Sequence, residues 1–129
     1  MEHVIRRFTT ATGIPCTTEL TFLADCPAPL HEHIVRITSE GLTNIARHAQ
    51  ALHVWIALRE EDAGIMLEVR DDGIGFDPAG VAKQGGHYGL VGLRERARLL
   101  GGCLELTSTP GTGTSLRVLW PYAGNEDER

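Results

Sequence analysis

The chain has 129 residues, enough for one hydrophobic core and too few for two. Its 42% hydrophobic and 22% charged residues are those of a folded domain, and a net charge of −5 argues against a general basic surface for duplex DNA. No apolar run approaches the ~20 residues that cross a membrane, and no signal-peptide pattern is read at the start.

Residues 1–11 are weakly helical, with Val4, Ile5 and Phe8 on one side, and Gly13-Ile14-Pro15 breaks them. Residues 16–22 alternate as a half-buried strand, with Cys16, Thr18, Leu20 and Phe22 on one face. The best-defined element is a helix over 30–50. Leu30, Ile34, Ile37, Leu42, Ile45 and Ala49 make one apolar arc; His33, Arg36, Glu40, Asn44 and Arg47 share a line on the opposite side. Strands follow at 52–60 (Val54, Ile56 and Leu58 inward; His53, Trp55 and Ala57 outward) and 65–70, joined by a tight turn into a hairpin. A glycine-rich stretch then runs to Gly89. A helix over 90–100 ends at Gly101-Gly102, and strands at 103–108 and 115–120 are joined through Thr109–Gly113. Consecutive strands favour a mixed, mostly antiparallel sheet with helices on one face. Cys16, Cys26 and Cys103 form no metal or disulfide pattern and read as reduced, mostly buried thiols of a cytosolic domain.

Glycine is the unusual count: 15 residues, eleven of them between 73 and 113. Such clustering points to backbone that approaches something closely or to loops that move. Four places carry candidate chemistry. On the long helix, Glu40, Asn44 and Arg47 offer a carboxylate, a carboxamide and a guanidinium. They suit a Mg²⁺ ion and a phosphate, or form a solvent-exposed face with Glu–Arg pairing. Asp71-x-Gly73-x-Gly75 ends a strand, as a ligand contact or as a turn. Gly85–Gly92 opens a helix whose bare amides suit an anion, with Arg94 and Arg96 adding positive charge, or is a flexible loop. Gly111–Thr114 is a hairpin turn or a ligand contact. No Walker loop, Rossmann fingerprint or hydrolase elbow occurs, and His31-x-His33 lacks a third metal ligand nearby.

In order, RITSEGLTNIARHA, VRDDGIGF, GGHYGLVGLRERARLLGG and TPGTGTSLRVLWP closely resemble the N, G1 and G2 boxes and the final G-x-G-T of the GHKL ATP-binding superfamily. E-x-L-T-N-x-x-R-H-A and G-H-Y-G-L-x-G-x-R-E-R-A resemble one subgroup most, the sensor histidine kinases of the nitrate-sensor and desaturase-thermosensor type. The resemblance implies a Bergerat fold: a two-layer α/β sandwich with a mixed sheet under about three helices. It implies ATP and Mg²⁺ as cofactors, with Asn44 on the metal, Glu40 in the position of a general base, and Arg47 and His48 facing the phosphates. Asp71 would accept the adenine amino hydrogen, and Gly73 and Gly75 would let the base lie against the backbone. His87, Gly89, Leu90 and Gly92 would contact nucleotide, and Thr114 would sit near adenine. Gly111 and Gly113 would also line the site, residues 76–88 would form a lid hinged by Gly80, Gly85 and Gly86, and Gly101-Gly102 would only end a helix.

The same resemblance implies transfer of the γ-phosphoryl group to a histidine on a separate dimerisation domain, then to a response regulator, with no direct nucleic-acid or membrane contact. Residues 1–122 are expected to form the catalytic domain of a longer, cytoplasmically placed kinase, and residues 123–129 an acidic disordered tail. The alternative is a stand-alone anti-sigma-type serine kinase and regulator.

Overall fold

The computed structural model describes residues 1–21, 26–77 and 90–122. Helix α1 spans Glu2–Thr12 and ends at Gly13 in the left-handed conformation. Strand β1 is Cys16–Leu20 and helix α2 is Ala28–Asn44, continued by a π-helical turn over Ile45–Ala49. Strands β2 (Val54–Glu61) and β3 (Gly64–Asp71) form a hairpin. Helix α3 (Leu90–Arg98), β4 (Cys103–Thr109) and β5 (Gly113–Pro121) complete the chain.

The five strands run β1-β2-β3-β5-β4, with β1 parallel to β2 and the other pairs antiparallel. This is the two-layer α/β arrangement expected. Burial follows the 3.6 and 2.0 periods: Ile34 and Ile37 of α2 and Leu93 and Ala97 of α3 meet Val54, Ile56, Leu67, Val69, Leu116 and Val118 of the sheet. The core is aliphatic apart from Phe8 and Trp120.

Three local expectations change. Strand β2 begins at Val54 because the amides of Leu52 and His53 bond the Asp72 carboxylate, at 2.9 and 3.0 Å, before the ladder starts. Ala57 is buried although its alternation points outward; it pairs with Glu19 and Glu68 in the two flanking strands. The cysteines are unpaired, but Cys16 and Cys26 are only half-buried, and Cys103 opens the edge strand β4 exposed. Burial raises the thiol pKa of Cys16 and Cys26 above the ordinary value. Phe22, read as the end of the first strand, lies outside the described residues.

Gly102 does more than end α3. A Cβ there would stand 2.6 Å from Trp120 Nε1 and 2.7 Å from the Ala97 carbonyl, so helix and strand close on a bare backbone. Gly92, inside α3, faces open space. Gly102→Ala is therefore expected to lower stability by about 1–3 kcal/mol through overpacking. Gly92→Ala should raise that of the ligand-free protein by about 0.5–1 kcal/mol. Urea unfolding of the two variants measures both.

Candidate functional site

Strand register brings the site together. Asp71, Thr114 and Ser108 are paired neighbours across β3, β5 and β4 and form one row at the end of the sheet. The next row on the same face, Val69, Leu116 and Leu106, is apolar. Above these rows lie Gly41, Asn44, Ile45, His48 and Ala49 of α2 and its π turn, with Gly75, Phe76 and Leu93 at the sides. The result is a largely apolar slot with Asp71 and Thr114 at one end and Asn44 and His48 on its helical side. Its open volume, about 50 Å³, holds only a few waters, so a ring the size of a purine requires the walls to part.

Asp71 is a buried charged group in the slot, 4% exposed. Its Oδ1 accepts the Gly73 N–H at 2.7 Å, and its other oxygen has no partner among the described residues. Burial raises its pKa above the ordinary aspartate value; the Gly73 amide works against the shift, and the neighbouring Asp72 charge adds to it. Asp72 is exposed and shifts the other way, because the His53 and Leu52 amides stabilise its charge. Two adjacent aspartates thus divide the work. Asp72 ties the loop to the start of β2, and Asp71 presents an acceptor to the slot.

The π turn sorts the polar stripe of the long helix. Its residues advance less around the axis than in an α-helix. His48, four residues after Asn44, stays beside it in the slot, while Arg47 is left farther round. Arg47 instead lines a groove between α1 and α2 with Arg7, Phe8 and Thr43, and the structure does not bring it to the slot. Glu40 also stands outside the lining, paired with Arg96 of α3 at 3.4 Å. Arg94, expected to add positive charge beside a phosphate, donates to the Leu104 carbonyl at 3.2 Å.

The glycines near the slot serve protein packing. A Cβ on Gly73 would run into the Ala49 carbonyl, and one on Gly75 into that of Thr109. One on Gly113 would strike that of Asp71. Of these only Gly75 lines the slot. Gly111, expected to line it, turns the β4–β5 hairpin at φ +88° with open space around it, and its amide bonds the Ile74 carbonyl at 2.6 Å. Gly92 is exposed and Leu90 begins α3, while His87, Gly89 and the hinge positions Gly80, Gly85 and Gly86 lie outside the described residues. The sequence does not single out Ser108, Leu93 or the apolar floor, and it assigns Phe76 to the lid; Ser108 is identified by the pairing of Thr114 with both Asp71 and Ser108.

The chemistry of the slot fits a flat, mostly apolar ring that carries an N–H at one edge. A family model described as "Histidine kinase-, DNA gyrase B-, and HSP90-like ATPase" matches residues 30–124. The chain is 41% identical over 92 residues to an uncharacterized sensor-like histidine kinase of Chloroflexus aurantiacus, covering 68% of this chain and 15% of the relative. It is 34% identical over 130 residues to the sensor histidine kinase YdfH of Bacillus subtilis, covering 99% of this chain and 31% of the relative. The chain therefore spans a third or less of these relatives. A blue-light activated histidine kinase of Erythrobacter litoralis has the same fold, with a TM-score of 0.80 and 22% identity over 98% of this chain and 42% of that one.

The raised Asp71 pKa sets a linkage test. Between the unfolded and the higher folded pKa the native state binds more protons, so the Asp71 contribution to stability falls as pH rises through that window. Asp71→Asn removes a buried charge and should raise the thermal midpoint at neutral pH. The gain should fade below the unfolded value of 3.8, where both states carry a neutral Asp71. Scanning calorimetry of wild type and variant across the acid range reads the difference.

Proposed function

We propose, from the fact that this chain belongs to the histidine kinase-, DNA gyrase B- and HSP90-like ATPase family, that it is the ATP·Mg-binding catalytic domain of a sensor histidine kinase. The observation that carries this reading is the pair of acceptors, Asp71 and Thr114, at the end of an apolar slot roofed by Asn44 and His48. An adenine ring offers apolar faces and an exocyclic amine, which that end is built to receive. Asn44 would hold Mg²⁺ through its carboxamide oxygen, and His48 would face the phosphates. The amides around Gly89 to Gly92 receive phosphate at the opening of α3. Magnesium supplies charge neutralisation on the phosphates; the chain's own residues bind, orient and exclude water. Glu40 is the candidate base, oriented by Arg96. Arg47 is the part of the expected set with least support from the geometry.

In this reading residues 1–122 form the catalytic domain and 123–129 a tail. The subgroup is that of the nitrate-sensor and thermosensor kinases, on the strength of the two motifs quoted above. The γ-phosphoryl group passes to a histidine of a dimerisation domain and from there to a response regulator, on the cytoplasmic side. Among the described residues no helix is long and apolar enough to cross a membrane.

Calorimetric titration tests the reading. ADP and ATP are expected to bind at micromolar to sub-millimolar affinity, more tightly than guanine nucleotides, with ATP binding strengthened by Mg²⁺. A folded protein that takes up neither nucleotide would overturn it. Asn44→Asp should weaken Mg²⁺-dependent ATP binding at unchanged fold; binding equal to wild type removes Asn44 from the metal. Incubation with Mg·ATP and a histidine-bearing acceptor domain should give an acid-labile phosphohistidine, whereas acid-stable phosphoserine would point to a serine kinase.

A further inference from the structure

Strand β4 brings one more polar side chain to the end of the slot. Ser108 stands beside Thr114 in the cross-strand row, and three groups meet its hydroxyl. The Phe76 amide donates to Oγ at 2.9 Å, Oγ donates to the Gly113 carbonyl at 3.1 Å, and Thr114 Oγ1 lies 2.8 Å away. A serine hydroxyl has one proton and two lone pairs. The Gly113 carbonyl can only accept, so it takes the proton. The Phe76 amide can only donate, so it fills one lone pair. The second lone pair then receives the Thr114 proton across the 2.8 Å contact.

Thr114 is left with lone pairs alone to offer the slot. Asp71, its partner on the other side, offers a carboxylate oxygen. Both groups at this end are acceptors. An intervening water keeps that polarity: one that gives both protons to Asp71 and Thr114 presents only lone pairs onward, and still calls for an N–H on the ligand.

We propose that Ser108 is a positioning residue for base selectivity: by holding the Thr114 proton it keeps this edge of the slot an acceptor pair. The edge therefore takes a purine with an amino group at its six-position and opposes one with a carbonyl there. Without Ser108 the Thr114 hydroxyl turns its proton to the slot and donates to such a carbonyl. The inference rests on the adenine-nucleotide reading above and adds a residue that does not touch the nucleotide.

Inosine diphosphate is the natural probe: it replaces the six-amino group of ADP by a carbonyl and the N1 lone pair by an N–H, and the carbonyl is the group that only a proton turned inward by Thr114 can meet. The Kd of each is measured by calorimetry for wild type, Ser108→Ala and Ser108→Thr. In wild type ADP binds more tightly than IDP. Ser108→Ala is expected to bring the two affinities together by about tenfold in their ratio, one hydrogen bond changed from opposed to made. Ser108→Thr, which keeps the hydroxyl, retains the wild-type ratio. If alanine unfolds the hairpin, Ser108→Cys serves instead, with similar volume and an acceptor too weak to hold the Thr114 proton. A Ser108 variant that lacks the hydroxyl, is folded and keeps the wild-type ADP:IDP ratio, even with both affinities lowered, overturns the proposal and leaves Ser108 a packing residue. A wild type that binds neither nucleotide overturns the adenine reading itself, and the proposal with it.

Discussion

The register of β5 against β3 and β4 is the constraint on which the rest depends. It puts Asp71, Thr114 and Ser108 in one row and Val69, Leu116 and Leu106 in the next. A slip of one residue would turn each of these side chains to the other face of the sheet. Backbone contacts hold the register where hydrogen bonds alone would allow sliding. Gly113 lies so close to the Asp71 carbonyl, and Gly64 to that of Trp120, that any side chain at either glycine would force the strands apart. The hairpin turn through Thr109–Gly113 and the loop after β3 are stitched by the Gly111 and Phe76 amides. The slot is thus a consequence of strand pairing, completed by a helix laid across it.

That helix adds the second decision. Gly41 seats α2 over Leu116 and Val69, where an added Cβ would make ordinary van der Waals contact at 3.5 and 3.7 Å. One turn on, the backbone changes from α to π and keeps Asn44 and His48 together over the slot while leaving Arg47 toward α1. A π turn is a strained choice in isolation, tolerated where tertiary packing repays it, and such turns cluster at functional sites. Here the repayment is visible in the Ala49 carbonyl, which receives the Ile74 amide at 2.7 Å and packs on Gly73. The end of the helix, the loop after β3 and the slot therefore share one set of contacts.

Much of this could be read in the sequence. Among the described residues, period and alternation mark all three helices and all five strands, because half-buried elements must repeat every 3.6 or 2.0 residues. Strand order implies the mixed sheet, and the glycine-rich and helix motifs mark Asp71, Asn44, His48, Gly75 and Thr114, all of which line the slot. What escaped was nonlocal or local in the wrong way. The position of Arg47 depends on a helix type that side-chain periodicity assumes away. The pairing of Glu40 with Arg96 depends on how α3 crosses α2. Ser108 is one hydroxyl among several in Thr107–Thr109, and only the pairing across β5 shows which of them faces Thr114. The glycines were read as making room for a ligand, whereas Gly73 and Gly113 make room for the protein's own carbonyls.

The two aspartates show why a site of this kind is maintained at a cost. Asp72 is exposed and satisfied by two amides, so its charge stabilises the fold. Asp71 is buried and satisfied on one oxygen only, so its charge works against the folded state unless a donor arrives. No donor among the described residues meets the second oxygen. The Ser108 network keeps the Thr114 hydroxyl from turning a proton to the slot. A chain optimised only for stability would supply a donor of its own to Asp71 and lose the unpaired acceptor. Keeping two acceptors side by side leaves an unmet requirement for an N–H, and the energy recovered when a ligand supplies it becomes binding specificity.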